Sequence, residues 1–306
     1  MWIATMGSEQ TEFKPGQIVE GFRVMAELGR GARSIVYLVQ NPETKEVWAL
    51  KHVEKIGPKD DRFIEQAEME AKIAGGLDHP AIRKIHRVIK KKARFLSVKE
   101  LFLVMELVDG VSIDIQPPRT FEQAVHIFHQ TASAMAHMHM RGYAHADMKP
   151  NNVVVDDKGT VKIIDLGQAC KIGTVKPRIQ GTPDYIAPEQ VHLKPITAKT
   201  DIYNLGAMMY WVLTRRYIPT ALPKGDSLVS SLDPHLMAKP MPAIEINRKV
   251  PPKLNELIMQ CVEIVPEDRP ADMMTVADRL NLIHGILLAR QGLSDSKFNV
   301  DPPTDA

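Results

Sequence analysis

Cysteine is nearly absent. Two residues in 306, Cys170 and Cys261, cannot build a framework of bridges and match no zinc-ligand spacing. Their scarcity predicts a reducing compartment, the cytoplasm. Net charge is nearly absent too. Thirty-nine Lys and Arg against 37 Asp and Glu leave +2, which makes no electrostatic case for nucleic acid as the main partner. No apolar run has membrane-spanning length: residues 280–289 come closest and are broken by Asn281, His284 and Gly285. The first six residues are too short, and lack the basic region, for a secretory leader. A Gly-x-x-x-x-Gly-Lys-Ser/Thr phosphate loop is also missing. What is present is ordinary globular composition, 44% hydrophobic and 25% charged, over a length that suits one large domain or two lobes.

One stretch concentrates the chemistry. His145-Ala146-Asp147-Met148-Lys149-Pro150-Asn151-Asn152 packs an acid, a cation and an amide into eight positions. Val153-Val154-Val155 follows, then Asp156-Asp157-Lys158-Gly159, then Val161-Lys162-Ile163-Ile164 and Asp165. Two β-branched runs around a Gly-containing polar tetrad predict a hairpin. Such a hairpin returns Asp165 to the side of Asn152, with Asp147 and Lys149 in the loop before. An amide oxygen and a carboxylate placed like that suit a hard divalent cation such as Mg²⁺ shared with phosphate oxygens.

The Asp-x-Lys-Pro-x-Asn run, the Asp165-Leu166-Gly167 after it and Ala187-Pro188-Glu189 downstream resemble the catalytic and activation segments of protein kinases, in particular bacterial serine/threonine kinases of the eukaryotic-like, Hanks type. The resemblance covers roughly residues 21–290. It implies an α+β, two-lobed fold: a small β-rich N-lobe with one key helix (residues 15–108) and a larger helical C-lobe (109–290). Residues 1–14 and 291–306 are expected to be flexible ends. It also implies transfer of the ATP γ-phosphoryl group to serine or threonine of protein substrates, with autophosphorylation. Asp147 would orient the hydroxyl and Lys149 offset developing charge. Asn152 and Asp165 would hold Mg²⁺, with Mn²⁺ as the alternative.

In the first lobe, residues 22–25 and 35–39 are strand-like and flank Leu28-Gly29-Arg30-Gly31-Ala32-Arg33-Ser34. Glycines there let main-chain N–H groups approach phosphate. By themselves they fit a plain hairpin turn equally well. A dinucleotide-binding loop is disfavoured because a strand follows, not a helix. The resemblance makes Leu28, Gly29, Gly31, Ser34 and Val36 nucleotide-binding, with Ser34 replacing a third glycine. Trp48-Ala49-Leu50-Lys51 resembles the strand whose lysine meets the phosphates, so Ala49 and Lys51 join the set. Residues 61–77 are helical in pattern and offer Glu65, Glu68 and Glu70; the family spacing to His79 selects Glu70 as partner of Lys51, with Glu68 as fallback. Residues 101–107 form an almost continuous apolar strand, buried on both faces. At its end Met105 would guard the adenine pocket, and Glu106 to Val108 would bond the adenine edge. Val154 would line the same pocket. Lys90-Lys91-Lys92-Ala93-Arg94 is expected to be a solvated loop between strands.

In the second lobe Thr120-Phe121-Glu122-Gln123 reads as a capping box, opening an amphipathic helix that ends at Gly142. Its His126, His129, His137 and His139 are expected to be surface or packing residues. The helix around Ile202, Leu205, Met208 and Met209 is apolar nearly all round, hence central, with Asp201 near its start. By resemblance Asp201 braces the catalytic loop, and Glu189 and Arg269 form a buried pair fixing the activation segment. That segment contains Thr174, the expected self-phosphorylation site, and Thr182 within Gly181-Thr182-Pro183-Asp184-Tyr185, which resembles the peptide-positioning loop of protein kinases. This argues for a protein substrate over a small molecule. Two departures stand out. Ala146 replaces the arginine that grips an activation-segment phosphate in the resembling kinases, and Leu166 replaces phenylalanine. With Ser34 they are the grounds for a second reading, a pseudokinase that binds nucleotide and works as a scaffold. Residues 220–252 are the least legible, a docking surface or a long loop. The chain stops short of a membrane anchor, so a soluble kinase and an excised catalytic domain are both open. Oligomeric state is not readable.

Overall fold

The computed structural model describes residues 10–31, 33–92, 98–219 and 239–296. The described residues group into two compact units: one from Met1–Asp78, Ile82–Asp109 and Asp165–Ala169, the other from His79–Ala81, Gly110–Ile164 and Cys170–Ala306.

The first unit is built on a six-stranded antiparallel sheet, β1 (Ile18–Val19), β2 (Phe22–Arg30), β3 (Ser34–Gln40), β4 (Val47–Glu54), β5 (Ile85–Lys92) and β6 (Val98–Met105), in the order β1-β2-β3-β4-β6-β5. Helix α1 (Asp61–Gly75) joins β4 to β5. Alternation divides the side chains between two faces. Ala49, Val53, Leu101, Leu103 and Met105 pack with Ile64 and Ala67 of α1 on the inner face. Val24, Ile35, Tyr37, Leu50, Phe102 and Val104 form a second cluster on the outer face. This accounts for the doubly apolar β6. The cover on the outer face is Phe13, whose ring lies 5.6 Å from Tyr37 and 5.0 Å from His52. Thr11 N–H also donates to Glu54 Oε2 at 2.7 Å, and Phe13 N–H to Tyr37 Oη at 3.1 Å. Residues 10–14, expected to be a loose end, are therefore tied to the sheet, while 1–9 lie outside the described residues. Of the expected loop at residues 90–94, Lys90, Lys91 and Lys92 instead extend β5 and pair with β6, with a register shift between Lys91 and Lys92, and residues 93–94 lie outside the described residues.

The second unit is mostly helical. It comprises β7 (Val111–Ser112), α2 (Phe121–Met140), β8 (Tyr143–Ala144), β9 (Val153–Val155), β10 (Val161–Ile163), β11 (Cys170–Lys171), α3 (Pro188–Val191), α4 (Ala198–Thr214), α5 (Ala243–Ile246), α6 (Pro252–Cys261) and α7 (Met273–Ser296). Thr120 caps α2 by accepting from Gln123 N–H at 3.2 Å. The Gln123 side chain reaches back one residue further than a capping box requires, to Arg119 N–H. Helix α4 is buried around most of its circumference. Gly206 lets α6 come close, since a Cβ there would sit 2.6 Å from Cys261 Cβ. Helix α7 runs on to Ser296, past the expected boundary at 290, and residues 297–306 lie outside the described set, as do 220–238. Among the described residues no helix is long and apolar enough to cross a membrane.

The strongest tie in this unit is ionic. Both Arg269 terminal nitrogens meet the Glu189 carboxylate, at 2.7 and 3.0 Å, with both side chains buried. Arg269 also donates to the carbonyls of Glu263, Lys199 and Ile264 and lies over the Tyr203 ring. Removing one partner leaves an uncompensated buried charge, so Arg269→Ala should lower unfolding free energy by about 3–5 kcal/mol. Denaturant midpoints test this; an unchanged midpoint contradicts it.

Candidate active site

Three strand residues, Val36, Ala49 and Met105, line the inner face of the sheet together with Lys51. The Lys51 ammonium is 2.6 Å from Glu70 Oε2 on α1. Burial works against its charge, but Glu70 and Asp165 outweigh that and hold its pKa above the ordinary lysine value. Of the three glutamates weighed on this helix, Glu70 alone is buried; Glu65 is exposed and Glu68 pairs with Lys90. Gly31 N–H closes the turn between β2 and β3 on Ser34 C=O at 2.7 Å. A Cβ on Gly31 would come within 2.8 Å of Ser34 Oγ, so this turn is tight where Gly29 is open. Leu28 is half exposed. At the end of β6 the Glu106 N–H already donates to Lys84 C=O. Of the main-chain groups expected to meet an adenine edge, the Glu106 carbonyl and those of Leu107 and Val108 are therefore left.

Asp165 belongs to the same unit. Its Oδ1 accepts from Gly167 N–H at 2.8 Å. A Cβ on Gly167 would meet Asp165 Oδ1 at 2.9 Å and Gln66 Nε2 at 3.1 Å, so a larger residue there would have to move the Asp165 side chain.

In the second unit β9 and β10 pair as an antiparallel hairpin, Val153 opposite Ile163, with Gly159 in the left-handed region at φ +79°. Val154 is buried on β9, and Ile164 N–H donates to Asn152 C=O. The charged side chains of the loop before the hairpin are bonded to each other and to Thr182. Lys149 Nζ donates to Asp147 Oδ2 at 2.9 Å and to Thr182 Oγ1 at 2.8 Å. Thr182 returns two bonds to Asp147 Oδ1, from its N–H and its hydroxyl, both 2.8 Å. Asn152 Nδ2 donates to Asp147 C=O, which turns the hard acceptor Oδ1 to the other side.

Asp201 holds this loop. It caps no part of its own helix, a task that Thr197 performs. Instead it accepts from His145 N–H and Ala146 N–H, both 2.7 Å, and from His139 Nε2 at 2.7 Å. His139 is thus a partly buried bonding partner, where a surface or packing role was expected; its position opposite a residue 62 places on carries no local signal. Burial opposes ionisation of Asp201, yet the His139 bond and the main-chain donors prevail and keep its pKa below the ordinary aspartate value. Ala146 itself is left-handed, φ +62°, with its methyl in an apolar cluster of Ala144, Cys170 and Ile196. Burial pushes the Cys170 thiol up, as suits an inert packing residue. Thr174 donates its hydroxyl to Lys171 C=O at 2.6 Å.

Asn152 carries an amide oxygen and Asp165 a carboxylate, donor types that a hard cation such as Mg²⁺ takes. Among the described residues no group of three or more His, Cys, Asp or Glu makes a protein-only metal cage.

A sheet carrying a Lys–Glu pair, and a helical unit with an Asp–Lys–Asn loop followed by a hairpin, are the parts of a protein kinase domain. Residues 22–280 match the protein kinase domain model, and the chain belongs to that family. It is 31% identical over 284 residues to the serine/threonine-protein kinase PrkC of Bacillus subtilis, covering 87% of this chain and 42% of that protein. Against PknB of Mycobacterium tuberculosis it is 28% identical over 265 residues, covering 83% and 41%. It therefore spans about two-fifths of the length of these relatives. The fold is also that of the Mycobacterium tuberculosis PknI kinase domain, with a TM-score of 0.66 at 23% identity over 88% of this chain and 99% of that one.

The Asp201 contacts have a pH signature. Its native pKa is lowered, so its contribution is complete above about pH 4, the unfolded value, and fades as pH falls through the native one. Asp201→Asn should destabilise by about 3 kcal/mol at pH 7, since bonds to a charged acceptor are each worth about 1.5–3 kcal/mol. The deficit against wild type should narrow at acid pH. Urea midpoints at neutral and acid pH test this; an equal deficit at both contradicts it.

Proposed function

We propose that this chain is a serine/threonine protein kinase that transfers the γ-phosphoryl group of Mg-ATP to hydroxyls of protein substrates, itself included, with Thr174 as one acceptor. The observation that carries the reading is the Asp147–Lys149–Thr182 network. Both oxygens of Asp147 are committed to a hydroxyl and an ammonium, the partners that an acceptor hydroxyl and a migrating phosphoryl group would call for. Asp147 orients the incoming hydroxyl and takes its proton late, because an ordinary aspartate is too weak a base to ionise a serine first. Lys149 offsets charge as it develops on the transferring group, which raises rate more than binding. Lys51, positioned by Glu70, meets the α- and β-phosphates. The turn at Gly29, Gly31 and Ser34 covers them, while Leu28, Val36, Ala49, Met105, Val108 and Val154 enclose the adenine. Asn152 and Asp165 would hold Mg²⁺, which supplies charge neutralisation on the phosphate oxygens. Thr182 and its neighbours favour a protein substrate, and the relatives' names point to serine and threonine. Two buried free cysteines agree with a cytoplasmic setting.

Incubating the protein with Mg²⁺ and ATP beside Asp147→Asn, and mapping sites by mass spectrometry, tests the reading. Phosphoserine or phosphothreonine should form on the wild type, with the variant slower by about 10²–10⁴-fold. If neither protein nor an added generic acceptor is modified, the scaffold reading replaces it.

The apolar surroundings of Ala146 generate a second expectation. Main-chain bonds from Gly173 N–H to Ile196 C=O and from Ile196 N–H to Thr174 C=O hold the activation segment, and Gln190 Nε2 ties Ala146 C=O to it at 2.8 Å. No phosphate grip is built at Ala146. Phosphatase-treated protein, assayed after the phosphatase is removed, should keep most of its initial rate; abolition that rephosphorylation restores contradicts this.

A further inference from the structure

The turn between β2 and β3 carries Gly29 and Gly31, and a glycine turn is costly to fix because its backbone has the most freedom to lose. It also carries two arginines, Arg30 and Arg33, and both are engaged by carboxylates. The Nε and Nη2 of Arg30 fork onto Glu27 at 3.1 and 2.8 Å, and its Nη1 donates to Glu12 Oε1 at 2.5 Å. Arg33 Nε donates to Asp60 Oδ1 at 3.3 Å. Exposed ion pairs contribute little when both side chains must be ordered to make them. Here the partners outside the turn sit on backbone that is already anchored. Glu12 lies between Thr11, whose N–H donates to the buried Glu54, and Phe13, whose N–H donates to Tyr37 Oη and whose ring packs against Tyr37, His52 and Phe102. Asp60 is buried just before α1, and its Oδ2 accepts from Ile56 N–H at 3.1 Å and Gly57 N–H at 2.9 Å.

We infer that Glu12 and Asp60 are positioning residues of the nucleotide site: they clamp the glycine turn by its two arginines, so that a nucleotide meets a turn already set. The inference rests on the nucleotide-binding reading above. Asp60 ties the turn to the start of α1, the helix that carries Glu70, the partner of Lys51. Glu12 ties it to residues 10–14, which the outer face of the sheet holds through Phe13. Glu12 acts through Arg30 and Asp60 through Arg33. A ligand that need not order a loop binds more tightly, so the clamp is read in nucleotide affinity rather than in the chemical step.

Steady-state assays of the full chain, with ATP varied and then with a protein acceptor varied, test this. Glu12→Gln and Phe13→Ala should each raise the KM for ATP by about two- to fivefold, the scale of one exposed ion pair, and leave kcat and the acceptor KM within about twofold. Phe13→Leu, which keeps an apolar anchor, should recover most of the Phe13→Ala loss. Glu12→Gln added to Arg30→Gln should raise the KM no further, because the two act on one contact. Arg33→Gln should raise it independently. In about 0.5 M salt the wild type should move toward the Glu12→Gln value, since exposed pairs are screened. An unchanged KM for ATP in Glu12→Gln and Arg33→Gln overturns the inference and leaves both pairs as surface contacts. A lowered KM in Glu12→Gln also overturns it, since the carboxylate would then be repelling phosphate. So does a rise matched by the acceptor KM and by a fall in melting temperature, which marks general loss of fold. If calorimetry shows that the wild type does not bind ATP, the nucleotide-binding reading has itself failed, and this inference with it.

Discussion

A single buried carboxylate sets the geometry of the catalytic loop. Asp201 accepts from two consecutive N–H groups, His145 and Ala146, and from His139. Consecutive N–H groups can point at one carboxylate only if the chain turns sharply, and here Ala146 is left-handed. That conformation costs an alanine about 1–2 kcal/mol and persists because the carboxylate over-determines it. The turn delivers Asp147 to Thr182 and Lys149, and it places the Ala146 methyl among Ala144, Cys170 and Ile196. An interaction on a central helix thus determines both what the loop presents and how the activation segment leans on it.

The two units meet their needs by different means. In the sheet unit the charged groups are held by alternation: Lys51 shares a face with Ala49 and Val53 because they are two residues apart. Glu70 reaches that face from α1, and Gly167, having no Cβ, leaves room for the Asp165 carboxylate. In the helical unit the loop is held by side chains bonded to main chain, and the activation segment by the bidentate Glu189–Arg269 pair. At Ala146 the contacts are apolar, with Ala144, Cys170 and Ile196.

Much of this was legible before any coordinates. The hairpin from Val153 to Ile163 follows from two β-branched runs and a glycine, and its register follows from the length of the polar turn. The buried strand ending at Met105 was readable from its composition, but its outer cover was not. Phe13 lies in a segment whose sequence looks like any polar terminus, and only the unfilled face of Phe102 and Tyr37 explains its position. Lys90 to Lys92 failed in the opposite sense. Three lysines look like a loop, yet a strand at the edge of a sheet tolerates charge because one side of it faces water. Helix α7 ran past its expected end because nothing in residues 291–296 forbids a helix, and polarity alone does not stop one.

The sequence by itself determined which local structures form and which chemical groups are available. Spacing, turn residues and β-branched runs act over a few residues, and so do the Asp–Lys–Asn order of the loop and the lysine of β4. Tertiary structure decided the partners. That His139 meets Asp201, that Glu70 rather than Glu68 meets Lys51, and that Arg269 clamps Glu189 from 80 residues away are long-range choices. They depend on which faces the folded chain brings together, and on the penalty for leaving a buried charge without a partner, neither of which is written in any short stretch of residues.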